Sequence, residues 1–215
     1  MSRPIKKSVH IFFPEADCRG EKVTLSEDFY LKYAFKRNVS VILNTYGFDH
    51  EKRFNSAYQK NEYNDQCFIV MDTDITATRD NINAVKKNIG DYQKKYPRAK
   101  MILSSRSFET WLCMYNHDTY TKPFTDKSQL LKDTKFHDYD KQEVWFRKHA
   151  TELFENYQNA KQASIKSRKL VFSSHNLDDL NLESHPGKFD DRLLHMIVPV
   201  TPYTFFDILI DELME

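Results

Sequence analysis

The feature that most limits how this chain can fold is the run Cys67-Phe68-Ile69-Val70-Met71, apolar throughout and stopped by Asp72-Thr73-Asp74. It is short, holds β-branched and aromatic side chains, and lacks the in-out alternation of a strand with one wet face. Such a strand is buried on both faces. That requires helices on both sides of its sheet, and so predicts an α/β protein with a mainly parallel sheet.

Other segments fit the same plan. Ser8 to Phe13 turns apolar toward its end and is stopped by Pro14, so Glu15 falls just past a strand end. Val39 to Leu43 and Ala99 to Leu103 read as short strands. A helix is predicted from Ser26 through Arg37, with Glu27 and Asp28 in its first turn and Phe29, Tyr30, Tyr33 and Ala34 inward. Thr78 to Lys95 has helical spacing through Ile82, Val85, Ile89 and Tyr92, and Phe108 to Tyr115 reads as another helix. Tyr46 to Asp65 is polar and irregular.

Beyond Thr119 the pattern changes. Thr119 to Asp138 reads as a loop or insertion, and Gln142 to Lys161 as one amphipathic helix with Val144, Phe146, Ala150, Leu153, Phe154 and Tyr157 inward. Its continuation to Lys169 is basic. Ser173 to Asp191 looks like loop, and Pro202 introduces a last helix with Phe205, Ile208, Leu209 and Leu213 inward. We therefore expect an α/β core over residues 1–118 and a helical extension over 119–215, packed as one compact unit. With 215 residues, of which 14% are aromatic, a core forms without covalent staples even though 29% are charged. Three cysteines without metal-ligand spacing argue against a disulfide framework or a thiolate zinc site. The first apolar run is too brief for a signal or membrane segment, so a cytoplasmic location with no membrane partner is expected. A net charge of +1 gives no global pull toward nucleic acid, leaving only local patches such as Lys161 to Lys169.

Ligands of an open α/β sheet gather outside the carboxyl ends of its strands. Glu15, Asp72, Asp74 and Ser104-Ser105 all fall at such ends, which collects them on one rim. Asp72 and Asp74 are two apart and share a face while the strand runs straight, so both carboxylates reach one cation. Hard oxygen ligands select Mg²⁺ or Mn²⁺, and Glu15 adds a third. Capping of the helix near Thr76 or Thr78 is the plainer account of a single aspartate; two of them after a wholly apolar strand favour a metal. Glu109 is either a rim acid or a first-turn acid suited to the helix dipole. Trp111 packs inward. Arg106 and Lys141 are cations that can hold a substrate phosphate. His117 and His137 are candidate proton carriers, although histidines in polar loops are usually just solvated.

The segment Ser104-Ser105-Arg106-Ser107-Phe108-Glu109-Thr110-Trp111-Leu112 is similar to the middle of the RloB-like family, which reads approximately Ser-Asn-Pro-x-Phe-Glu-x-Trp-Leu. A strand with a terminal Glu, an aromatic helix opening on Ser26-Glu27 and a strand ending in Asp-x-Asp together resemble the Toprim fold. Tyr139-Asp140-Lys141 and Thr201-Pro202-Tyr203-Thr204 look like further parts of that family, so the resemblance spans nearly the whole chain. It departs at Glu15-Ala16, where Glu-Gly is usual, and at Arg106-Ser107 in place of Asn-Pro. The resemblance implies a Mg²⁺-dependent nuclease-like core with Glu15, Asp72, Asp74 and Glu109 as its catalytic acids. It also implies a setting beside restriction systems and transporter-type ATPases, linked to bacterial antiviral defence and abortive infection.

Three functions follow as expectations. The first is a metal-dependent phosphodiesterase acting on DNA or RNA, tRNA included, with Arg106 and Lys141 on a neighbouring phosphate. The second is a non-catalytic Toprim-like sensor or scaffold that binds a partner ATPase or a phage component. The third is a phosphatase of the haloacid dehalogenase type, whose first motif Asp72-x-Asp74-x-Thr76 also fits, with Asp72 as nucleophile; that motif normally closes the first strand, which argues against it. Homo-oligomerisation is left open.

Overall fold

The computed structural model describes residues 7–16, 18–19, 22–36, 39–60, 66–74, 79–116, 118–124, 127–177 and 188–215. The chain forms β1 (Ser8–Phe13), a small hairpin of β2 (Cys18–Arg19) and β3 (Lys22–Val23), and helix α1 (Ser26–Tyr30), which runs on as a π-helix over Leu31–Phe35. Then come β4 (Ile42–Gly47), a 3₁₀ turn (Phe48–His50) leading into α2 (Glu51–Lys60), β5 (Gln66–Asp72), α3 (Arg79–Lys95), β6 (Lys100–Ser104) and α4 (Glu109–Cys113). The C-terminal part holds α5 (Lys127–Asp133), α6 (Glu143–Lys148), α7 (Ala150–Glu155), α8 (Tyr157–Ser174), α9 (Asp191–Ile197) and α10 (Phe206–Met214).

The strands β1, β4, β5 and β6 make an all-parallel sheet in the order β4-β1-β5-β6, flanked by helices: the α/β class expected. Cys67 to Met71 are buried along their whole length, as a strand covered on both faces must be. From β1 the chain first crosses to β4 and then reverses past β1 to β5 and β6. Right-handed crossovers made in opposite directions place their helices on opposite faces. Accordingly Phe12 of β1 stacks on Phe54 of α2 at 5.1 Å and meets Tyr92 of α3 edge-on at 5.7 Å. Tyr30 of α1 belongs to a separate aromatic cluster with Phe108, Trp111 and Phe206.

Several local expectations are corrected. The strand placed at Val39 to Leu43 lies at Ile42–Gly47, and Tyr46 to Asp65 is not irregular, since it contains α2. Only Phe54 and Tyr58 of α2 are buried, a stripe too thin to show as periodicity. Gln142 to Lys161 is not one helix but three, broken at His149 and Asn156, where ψ is 6° and 4°. The breaks rotate the apolar face, so Trp145 and Phe146 are buried while Val144, expected inside, is 75% exposed. The stretch 119–138 contains α5, whose Leu130 is buried. Helix α8 runs to Ser174, and Asp190 caps α9 by accepting from the Leu193 backbone N–H at 2.7 Å. Residues 178–187 lie outside the described ones.

Pro202 does not open a helix. It follows a cis peptide bond in a segment that bridges antiparallel to β6 at Ser104 and Thr204, and α10 starts at Phe206. The segment is pinned by Phe205 N–H donating to the Leu103 carbonyl at 2.9 Å. A buried ion pair of Arg168 and Asp207 holds it from behind, with Arg168 also donating to the Thr204 carbonyl. No described helix is long and apolar enough to cross a membrane.

Candidate metal and acid site

The strand order reverses between β1 and β5, and the carboxyl ends of the strands flanking such a switch point are where open α/β sheets bind ligands. Phe12 pairs with Ile69 across these strands. The ends of β1 and β5 therefore adjoin at the switch point, with Asp72 closing β5 and Glu15 in the turn two residues past the end of β1.

Asp72 is the last residue of β5 and half-buried, and its Oδ2 accepts the Phe108 backbone N–H at 3.2 Å, where the chain enters α4. Thr73 is buried. Its N–H donates to the Ser104 carbonyl and its Oγ1 accepts the Arg106 N–H, both at 2.9 Å. This stitch joins the ends of β5 and β6 and fixes the carboxylate on either side of it. At Asp74 the backbone leaves the strand with φ of 27°, a region that Asp tolerates better than most residues, and the side chain is exposed. Glu15 is exposed in the turn after β1. Thr76, Thr78 and His117 lie outside the described residues.

Ser105 is held on both sides of its backbone: its N–H donates to the Tyr203 carbonyl and its Oγ accepts the Tyr203 N–H, each at 2.8 Å. The turn then passes through Arg106, with φ of 62°, whose guanidinium lies 5.8 Å from the Phe124 ring centroid. Glu109 does not sit openly on the rim. It is 2% exposed and ion-paired to Lys141 at 2.7 Å, with the Tyr139 hydroxyl donating to the same Oε1 at 3.1 Å. Trp111 is fully buried, as expected.

The residue that sequence reasoning missed is Glu27. It sits in the first turn of α1, where an acid reads as a favourable dipole contact, yet it is 4% exposed. A signal was present: Glu27 lies three, four and seven residues before Tyr30, Leu31 and Ala34, all buried, and so belongs to the inner stripe. Ser26 is the first helical residue, as expected, and its Oγ hydrogen-bonds the Tyr139 hydroxyl at 3.0 Å.

Burial raises the Glu27 carboxyl to about 8; repulsion from Glu109 and Glu15 adds to this, while its own backbone N–H and Lys141 oppose it. Burial pushes Glu109 up as well, but the charge and hydrogen bond of Lys141 outweigh it and leave Glu109 below the ordinary carboxylate range. Two neighbouring carboxyl groups are thus driven apart. At neutral pH Glu27 keeps its proton while Glu109 is ionised, the pattern by which acid and base roles separate.

A family model described as RloB-like protein matches residues 18–213. The chain belongs to the RloB-like family. Neither a curated protein nor a solved structure matches it. The RloB-like match takes in Glu27, Asp72, Asp74 and Glu109 and begins after Glu15.

Among the described residues no three acids, histidines or cysteines already stand close enough together to ligate one ion. Mg²⁺ does not require such a cage, because it keeps several waters and is usually held by one or two carboxylates plus substrate phosphate oxygens. Asp72, half-buried and oriented by the Phe108 N–H, with exposed Asp74 beside it, is a donor set of that kind.

Proposed function

We propose that this RloB-like protein is a Mg²⁺-dependent nuclease with a Toprim-like core, hydrolysing phosphodiester bonds of DNA or RNA in bacterial antiviral defence. The observation that supports this reading is Asp72 at the carboxyl end of β5, beside the switch point of the sheet, with Asp74 two residues on and Glu15 in the turn after the neighbouring β1. Asp72 and Asp74 would hold Mg²⁺ or Mn²⁺, which would supply charge neutralisation for the phosphate oxygens and acidify bound water, while Glu15, expected as a third ligand, completes no three-acid cluster with them.

The protein's own groups supply the rest. Thr73 and the Phe108 N–H keep Asp72 in one orientation. Arg106, in the turn beside it, would meet a neighbouring phosphate, and Lys141, 56% exposed while paired with Glu109, has further N–H donors for the same purpose. Glu109 anchors Lys141 and Tyr139 at the site. Glu27 stores a proton at neutral pH for the leaving oxygen. Nucleic acid is the partner this reading needs, and a partner ATPase would supply the trigger.

Incubating the protein with labelled DNA, RNA and tRNA in Mg²⁺ or Mn²⁺ tests the proposal. Cleavage is expected that chelator and Asp72→Asn each reduce to background, with the melting curve of the variant retained. A folded protein that cuts none of these substrates in either metal refutes it.

A further inference from the structure

Of the aromatic side chains among the described residues, Phe48 alone is exposed, at 58%. Its place is particular. It is the first residue after Gly47, the end of β4, so it stands on the same rim as Glu15 and Asp72. Its N–H donates to the Ala16 carbonyl at 2.9 Å, which ties it to the turn that carries Glu15. The strand β4 lies two strand spacings from β5, placing Phe48 roughly 10 Å from Asp72.

The backbone that carries the ring is also held firmly. Tyr46 before it packs on Phe54 of α2, and Phe54 stacks on Phe12 of β1, so the turn is clamped between strand and helix. Lys52 and Arg53, both exposed, follow within the first turn of α2. An exposed aromatic on a firmly held turn with cations beside it, one or two nucleotides from an acidic centre, suits an unpaired base: the ring stacks on the base face and the cations meet the backbone. A base inside a duplex presents only its edge and cannot use such a platform.

We propose that Phe48 is a base-stacking platform and that the site takes single-stranded nucleic acid, or an unpaired stretch of it. This rests on the nuclease reading for the identity of the polymer.

The test is fluorescence anisotropy of the full chain in chelator, with labelled 12-nucleotide dT and rU strands and a 12-base-pair DNA duplex as probes. Single strands should bind more tightly than the duplex, and the dT and rU arms tell DNA from RNA. Phe48→Ala should weaken single-strand binding about 5- to 150-fold, the span of one base–aromatic stack. Phe48→Trp should retain it. Phe48→Leu, apolar but without a π face, should fall with alanine, an outcome that a merely apolar contact does not produce. The side chain is exposed, so all three variants should melt as wild type. The proposal is overturned if wild type binds neither strand, if Phe48→Ala binds single strands as wild type does, or if leucine serves as well as tryptophan. Cleavage in Mg²⁺ separates the two readings. A protein that cuts but ignores Phe48 loses only the platform, and one that binds strands through Phe48 but never cuts loses only the nuclease.

Discussion

Replacing Glu27 by Gln should stabilise the protein, and by an amount that grows with pH. In the unfolded chain this carboxyl releases its proton near the ordinary value of 4.5, whereas in the folded state it keeps it to about 8. Between those two values the unfolded state binds fewer protons at this position, so folding stability falls as pH rises, by about 1.4 kcal/mol per pH unit. The native contribution is complete below pH 4.5 and lost by about pH 8. Glu27 is 4% exposed, so water does little to screen this cost. Gln has the same shape and does not titrate. Glu27→Gln and wild type should therefore have nearly equal stability at pH 4.5, and the variant should be more stable by roughly 3–5 kcal/mol at pH 8.5. Asp28, also raised by burial and opposed by Lys32, titrates in both proteins and cancels in the difference. Urea denaturation in chelator at half-unit pH steps, with the slope held common, measures it. A difference that stays flat from pH 5 to 8.5, or one that favours wild type as pH rises, would refute the reasoning.

Two more perturbations probe the frame around the site. Arg168→Met should cost about 3–5 kcal/mol, because Arg168 and Asp207 are 1% and 2% exposed and the change strands a buried carboxylate; Arg168→Met with Asp207→Leu should recover most of it, and a single-variant loss under about 1 kcal/mol in urea would sink this account. Val144→Lys should change stability by no more than about 0.5 kcal/mol, as at any exposed helix position. A loss of several kcal/mol in the same assay would mean that Val144 packs inside after all.

Where the local pattern was strong it decided the architecture. Cys67 to Met71 has no nitrogen or oxygen atom outside its backbone, so only a strand covered on both faces satisfies it, and the parallel sheet with helices on each side follows from that one segment. Asp72 and Asp74 were legible for the same reason, since acids at the end of such a strand have nowhere to lie but on the rim. What the sequence by itself could not decide depended on partners distant along the chain. Glu27 looked like a first-turn acid because its neighbours in sequence are polar, whereas its burial comes from packing that brings up Glu109, Tyr139 and Lys141, more than 80 residues away. The Ser26 hydroxyl is likewise met by a tyrosine hydroxyl from that same loop. The helix expected from Gln142 to Lys161 broke at His149, whose ring lies between Asp138 and Glu152 at 3.1 Å from each, against the face of Trp145. Propensity along a helix is worth tenths of a kcal/mol per residue, and a handful of tertiary contacts outweighs it. The sequence alone thus determined the sheet and the acidic rim, because burial on two faces leaves one solution. Only the tertiary structure decided which carboxyl keeps its proton, because that is set by the charges and the solvent exclusion that folding brings around it.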